Sequence, residues 1–441
     1  MMKLTKTLTL FSLLAASQLS VSADAQSPGV WSYSDCVDYA RIHNIQLQQS
    51  IISQQMADCN VEEAKAQWLP TLDFSTSHVY GNSPWGDPAN RLTGNFNLGA
   101  GWTVYNGGKR ENSIKLAEKQ REISQLATTD LLRTIETDLL SVYLNILYAR
   151  ESIDIYEETV ELSQAQTNRA EGLLEAGKIS KVDYAQLKAQ LEQDNYNLVS
   201  ARSQYATRAM ELKKILQLGI TDSITAAPVD WNSVGMTAEL PPIAESYAMA
   251  VDTDVLLRSL ALQSDAADLD IAIAKAGRRP QISLNAGVGT SYGVPGDNFG
   301  DQLKYGLGEQ IGLSLSLPIL DQKKTKVAVA TAKLAKENVA LDTDQRYLDL
   351  QQNVESWYVT TREAQSRYRA ALEQEKAAAL SNELVNEQFQ LGLVNPVELL
   401  TYHNSLLEAR HSVLQAKYMA LLGMKMIEFY RTALITLPAS M

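Results

Sequence analysis

Residues 282–317 read ISLNAGVGTSYGVPGDNFGDQLKYGLGEQIGLSLSL. The apolar positions Ile282, Leu284, Ala286, Val288 and Tyr292 alternate with Ser283, Asn285, Gly287 and Gly289. From Tyr305 the pattern resumes: Tyr305, Leu307, Ile311, Leu313, Leu315 and Leu317, interleaved with Gly306, Gly308, Gly312 and Ser314. Period two means a strand with two unlike faces. One face is apolar and the other small and polar, which suits a strand between lipid and a wet lumen. A soluble sandwich would explain the alternation, but not the glycine-rich inner face. Glu309 falls on the apolar side, so we expect it near a rim.

The pattern has an earlier twin. Leu92, Phe96, Leu98, Ala100 and Trp102 alternate with Thr93, Asn95, Asn97 and Gly99, and a weaker partner runs from Leu72 through Phe74 to Tyr80. The segments pair off around turn-rich loops, Ser83–Pro88 and Pro295–Asn298. The expected strand regions are therefore 71–105 and 281–318. Four strands cannot close a barrel, and open edges in lipid leave backbone groups unsatisfied. If the strands enter a membrane, several chains must share one barrel.

The twinning extends to the whole chain, with a period of about 210–215 residues. Each half reads helix, strand, loop, strand, very long helix, glycine turn, helix. Repeat one covers about 31–218, a linker 219–242, and repeat two 243–433. The opening helices are expected over 34–67 and 243–276, each ended by a proline, Pro70 or Pro280. Residues 109–174 hold no proline and only Gly172, and 323–391 hold neither proline nor glycine. Each stretch would be roughly 100 Å long as one helix.

Their apolar spacing is that of a coiled coil. Ile135, Leu139, Val142, Ile146, Ala149, Ile153, Tyr156 and Val160 step by four and three, as do Leu350, Val354, Trp357, Thr361, Ala364, Tyr368 and Ala371. The turns back, at tips 172–184 and 387–399, carry Gly177 and Gly392 where a helix ends left-handed. Ser180 and Asn395 suit the next caps, and Pro396 the first helical position.

The N-terminus has Lys3 and Lys6, a short apolar run from Leu8 to Ala16, and Ala23-Asp24-Ala25. That is the form of a signal peptide, 1–25, leaving 26–441 as the mature chain. The formal charge is −12, and removing the segment's net +1 leaves about −13. Such a balance argues against nucleic acid as partner. The two cysteines, Cys36 and Cys59, would stand roughly 34 Å apart along one helix, too far for a disulfide.

At this point the chain resembles the TolC family of outer-membrane efflux proteins. The motifs are Trp68-Leu69-Pro70-Thr71-Leu72, then Val104-Tyr105-Asn106-Gly107-Gly108-Lys109 with its echo Ile319-Leu320-Asp321-Gln322-Lys323-Lys324, and the two glycine hairpins. The resemblance implies a mixed α and β fold. Four strands per chain would join a trimeric 12-stranded β-barrel in the outer membrane, continued by a helical tunnel across the periplasm. It implies a homotrimer, a periplasmic adaptor and an inner-membrane pump or type I secretion machine. The cargo would be drugs, metals or polypeptides. The alternative is a structural coiled-coil protein bridging the envelope layers.

The resemblance also places a constriction near the hairpins. By position, Asp183 and Glu398 match acidic residues of that aperture. Thr401 stands where a second aspartate would be, Phe389 at a tyrosine position, and Val394 in place of a basic residue. The usual inter-hairpin bonds from tyrosine and arginine therefore cannot form as such. Gly177, Lys178, Gly392 and Leu393 are the expected tip and adaptor contacts.

No enzyme, cofactor or metal is expected. Gly289-Thr290-Ser291-Tyr292-Gly293 spells a nucleophile-elbow pattern but lies in an alternating strand. His403 and His411 read as decoration of a helix face.

Overall fold

The computed structural model describes residues 29–82, 85, 90–231, 235–293 and 298–438. The signal peptide and nearly all of both strand-joining loops lie outside the described residues. Repeat one contains α1 (Tyr33–His43), α2 (Ile45–Ala66), β1 (Thr71–Asn82), β2 (Asn90–Tyr105), α3 (Lys109–Glu175) and α4 (Lys181–Leu216). Repeat two contains α5 (Ile243–Thr253), α6 (Val255–Ala276), β3 (Gln281–Tyr292), α7 (Phe299–Tyr305), β4 (Gly308–Ser316), α8 (Lys324–Gln390) and α9 (Pro396–Thr432).

The strands form one antiparallel sheet in the order β1-β2-β3-β4. Its register gathers the apolar residues on one face. Phe74 pairs with Leu98, Leu98 with Val288, Trp102 with Leu284, and Leu284 with Leu313. The other face carries Asn97 beside Gly289, and Asn285 beside Gly312. Both faces are largely open to solvent within one chain. Glu309 pairs with Val288 at the loop end of β4, but in one cross-strand row with Leu98 and Phe74, and β3 runs on past it to Tyr292.

On the apolar face Gly94 leaves a hollow between His78 and Tyr292. A Cβ there would approach His78 Nδ1 to 2.5 Å, and across the hollow His78 Nδ1 bonds the Tyr292 hydroxyl at 2.7 Å.

Two expectations need correction. The fourth strand does not begin at Tyr305, because residues 299–305 are the helix α7. That helix lies over the end of β3: Thr290 Oγ1 donates to Leu303 O at 2.7 Å, and Gly293 N to Gln302 Oε1 at 2.6 Å. The opening helices are also not continuous. The Asn44 side chain accepts from Leu47 N and donates to Ile215 O. It therefore starts α2 while fixing the break to the end of α4. Asp254 does the same at Leu257 N and pairs with Arg346 at 2.6 Å. An Asn or Asp side chain competes with the helix for its own N–H groups, and here tertiary partners fix that choice.

α3 and α8 each run for 67 residues, roughly 100 Å. In the half nearer the sheet the helices lie side by side in the order α2-α3-α6-α8, repeating the strand order. Farther away, α4 packs on α3 and α9 on α8, with α3 beside α9. α3 buries the expected stripe, including Leu139 and Ile146, and a second one beside it through Leu140, Tyr143 and Leu147. A helix with neighbours on two sides needs both.

The main core lies where these halves meet. The linker runs beside the N-terminal strap, with Ala227 N bonded to Trp31 O at 2.8 Å. The Tyr143 hydroxyl lies within 3.0 Å of both the Trp31 and the Ala227 carbonyl. Cys36 is fully buried there, and burial pushes its thiol up to about 12. Both cysteines are free.

Between sheet and helices, buried Arg110 is the joint. Its guanidinium stacks on Trp68 at 3.4 Å and donates to the carbonyls of Gln67, Thr103 and Val104. Gly107 is left-handed, and a Cβ there would come 2.6 Å from the Arg279 Cβ. The equivalent joint in repeat two uses Asp321, which accepts from Thr325, a bond that holds its carboxyl below the usual range. Arg110→Met should therefore cost about 2–4 kcal/mol, because three carbonyls lose a charged donor that is itself buried. Arg110→Lys should recover less than half of it. The midpoint of guanidinium unfolding of the detergent-solubilised protein measures both.

Candidate functional site

The end of the molecule far from the sheet is built by two helical hairpins. Each turn uses a left-handed glycine, Gly177 at φ +68° and Gly392 at φ +73°. Lys178 N closes the first on Leu173 O at 2.8 Å, and Leu393 N the second on Gln388 O at 2.9 Å. These six-to-one bonds satisfy carbonyls that the helix end leaves bare. Lys178 is exposed, and so are the apolar Leu391, Leu393, Val182 and Val397.

Asp183 completes a capping box with Ser180: its carboxylate accepts from Ser180 N at 3.0 Å, and its own N–H bonds Ser180 Oγ at 3.1 Å. It is half-buried. Glu398 N bonds the Asn395 side chain at 2.9 Å, whereas the Glu398 carboxylate is exposed. Thr401 turns its hydroxyl back to Val397 O at 2.8 Å. Phe389 is elsewhere. It is fully buried in a small core with Ala170, Leu173, Leu187, Val385 and Leu399, and half-buried Val394 packs against that core. An aromatic ring at this position does not reach the solvent-lined surface, so Phe389 holds the tips together from within. Arg169 donates to Gln390 O at 3.1 Å, a charged link between the two hairpins.

A second polar group lies deeper, and sequence reading passed over it. His403 is 2% exposed and Asp194 0%. His403 Nε2 meets Asp194 Oδ2 at 3.2 Å. Ser163 Oγ donates to the same oxygen, and Gln190 Nε2 to Oδ1 at 2.9 Å. The expectation that His403 decorates a helix surface is overturned. A signal was present: Leu187, Leu191, Asp194 and Ala201 follow the core steps of α4, and Leu399, His403 and Leu406 those of α9. His411 is half-buried against Tyr156, with centroids 4.7 Å apart, and burial lowers its pKa.

Gly289–Gly293 lies at the end of β3, and the first helix after it starts only at Phe299. A nucleophile elbow needs a strand running straight into a helix, and among the described residues no helix begins before Phe299. Among the described residues no group of three or more His, Cys, Asp or Glu side chains comes together as a metal would require.

The family model described as "Outer membrane efflux protein" matches residues 36–217 and 247–422. Outer membrane protein TolC of Escherichia coli K12 is 22% identical over 393 residues, covering 86% of this chain and 78% of that one. The nickel-cobalt-cadmium resistance protein NccC of Alcaligenes xylosoxydans xylosoxydans is 23% identical over 237 residues, 54% of this chain and 50% of that one. Among solved structures, the CusC channel superposes with a TM-score of 0.78 at 16% identity, covering 90% of this chain and 91% of that one.

The caps generate a test. Asp183→Ala and Asn395→Ala should each loosen their own turn by about 1 kcal/mol. Proteolytic nicking at that turn should then rise about fivefold over the parent while the opposite turn is unchanged.

Proposed function

The chain belongs to the outer membrane efflux protein family and is an outer-membrane channel reaching into the periplasm, and from that premise we propose that three copies form one continuous duct. The observation that carries this reading is the sheet: one face is apolar, and β1 and β4 each leave an edge unpaired among the described residues. In lipid those edges need partners. β4 of one copy on β1 of the next supplies them. Two copies would give eight strands, a barrel that side chains fill, whereas three give twelve and leave an open lumen. β1 has 12 residues, roughly 40 Å along the strand and roughly 30 Å of height when tilted, enough to cross the hydrocarbon.

The helices support the same assembly. α8 exposes Val327, Leu334, Leu341 and Leu348 at heptad spacing on its outer edge. α2, at the opposite edge of the four-helix row, exposes Ile45, Ile52 and Met56. Two unpartnered apolar stripes on opposite edges fit copy against copy around a ring. Helices laid between two layers without a membrane face would need no such sheet, which disfavours a mere envelope spacer.

The duct performs no chemistry of its own in this reading. It receives cargo from a periplasmic adaptor and an inner-membrane pump or secretion machine, docked at Gly177, Lys178, Gly392 and Leu393. Exposed Leu391, Leu393 and Val397 give that contact an apolar centre and Lys178 a charged edge. Drugs, metals and polypeptides are the cargo classes of this design, and the partial match to a nickel-cobalt-cadmium resistance protein adds weight to divalent metals. Glu398, aided by Asp183, forms the acidic ring of the closed end. Thr401 contributes no charge to it.

Chemical crosslinking in detergent should give trimers, and Leu341→Asp should reduce them to monomers and dimers. Parent protein that stops at dimers overturns the assembly. In single-channel recordings Glu398→Ala should lower cation preference by about two- to threefold and weaken block by divalent cations. Asp183→Ala should act less strongly, because its carboxylate is engaged in the cap. Unchanged selectivity in the double variant would place the gate elsewhere.

A further inference from the structure

The two helical hairpins are offset by a constant. α8 begins 215 residues after α3, at Lys324 against Lys109, and α9 begins 215 after α4, at Pro396 against Lys181. Each position of one hairpin therefore has a counterpart in the other. Inside one chain the hairpins meet where α3 lies beside α9. Tyr156 packs on His411 with ring centroids 4.7 Å apart, and Tyr148 on Tyr418 at 6.0 Å. Glu151 takes Lys417 at 2.7 Å and Glu158 takes Arg410 at 2.9 Å. As the α3 numbers rise the α9 numbers fall, so these pairs fix one antiparallel register.

Carried to the counterpart positions, the same junction would join α8 to α4, and both of those surfaces are bare. α4 buries Leu187, Leu191, Asp194 and Ala201. On another side Val182, Ala189, Tyr196, Ser203 and Met210 step by seven, and all five are exposed, Tyr196 at 69%. That is the spacing of a coiled-coil seam. On α8 the matching surface is hollow. A groove of about 380 Å³ runs between α8 and α9, with Ala364, Ala370 and Ala371 on one side and Ser412 and Ala416 on the other.

The counterparts explain the hollow. Where α8 has Ala370 and Ala371, α3 has Ile155 and Tyr156. The bulk missing from α8 stands on α4 instead, because the counterparts of His411 and Leu414 are Tyr196 and Val199. A large ring thus faces a small residue, as a knob faces a hole. Closing such a groove removes apolar surface from water on both partners. Glu363 and Arg367 also line it and give a phenol hydroxyl polar partners. A helix from another protein would fill the groove and leave the α4 seam open, whereas a second copy covers both.

We infer that Tyr196 and Val199 of one copy seat in the α8–α9 groove of the next, in the register of the α3–α9 junction. The inference rests on the reading of three copies as one duct. It continues, toward the tips, the contact that Val327, Leu334, Leu341 and Leu348 of α8 offer nearer the sheet.

Cysteine pairing in the detergent-solubilised full chain tests it, with exposed Cys59 changed to Ser and buried Cys36 left in place. Ser203 and Glu363 are both exposed and are the counterparts of Tyr418 and Tyr148. Ser203→Cys with Glu363→Cys should join neighbouring copies through a short thiol-to-thiol crosslinker, giving covalent dimers and trimers. Ser203→Cys with Ala377→Cys, displaced by roughly 20 Å along α8, should give at least about tenfold less. In a second arm Tyr196→Ala should raise the dissociated fraction of diluted protein about tenfold. Adding Ala371→Tyr returns the ring from the other side and should recover most of the association, which would not follow for a tyrosine serving only its own chain. The crosslinking arm leaves Tyr196 intact, so it decides if Tyr196→Ala does not fold. Trimers in which the matched pair links no better than the displaced one, or in which Tyr196→Ala associates as the parent does or is not rescued, overturn the seating and leave the duct standing. A parent chain that forms no trimer overturns both.

Discussion

A strand in lipid can satisfy its backbone N–H and C=O groups only on another strand. That constraint governs this molecule. Its sheet orders the strands β1-β2-β3-β4 with one apolar face and one face of glycine, serine and asparagine. No rearrangement of four strands closes on itself, so the requirement passes outward to neighbouring copies. The helical half inherits the geometry. Because short joints connect α2, α3, α6 and α8 to β1, β2, β3 and β4, the order of the helices repeats that of the strands. A barrel above thus imposes a ring of helices below.

The joints are where the two halves of the repeat part company. In repeat one, Arg110 is inserted under Trp68 and collects three carbonyls. In repeat two, Asp321 and Thr325 make a smaller cap, while Arg279 crosses to Gly107 O at 2.8 Å. One duplicated plan therefore has two unlike hinges, tied to each other by one bond. The left-handed residues show the same divergence: Gly107 and Gly108 in one joint, Gln322 and Lys323 in the other. Glycine is needed where Arg279 crowds the turn, and a side chain is tolerated where nothing does.

Farther from the sheet the energetics change. The equatorial core around Tyr143 and Leu140 is large and tied to both the N-terminal strap and the linker. The tips have only a small core around Phe389 and Leu187, and polar links carry more of the cohesion there. A region with few buried apolar contacts is the part of a protein that opens first. The fold thus places its smaller core at the hairpin tips, with the buried Asp194–His403 contact between them and the large core.

By itself, the sequence determined the elements whose causes are local. Alternation of Leu284, Ala286 and Val288 with Asn285 and Gly287 fixed the strand faces, since period two needs no partner to be read. The absence of proline and glycine over 323–391 allowed a helix of that length, and heptad steps through Leu350, Val354 and Thr361 marked its buried stripe. Other features arose only when distant segments met. Asn44 and Asp254 broke their helices because α4 and Arg346 were there to hold the freed side chains. Phe299–Tyr305 became a helix against Thr290 of β3 and the following Gly293, which donate hydrogen bonds to it. The second stripe of α3, the burial of Phe389 and the pairing of Asp194 with His403 depended on which helix lay alongside. Contact across 209 residues of chain is decided by packing and leaves no trace in local periodicity except a polar residue at a core step.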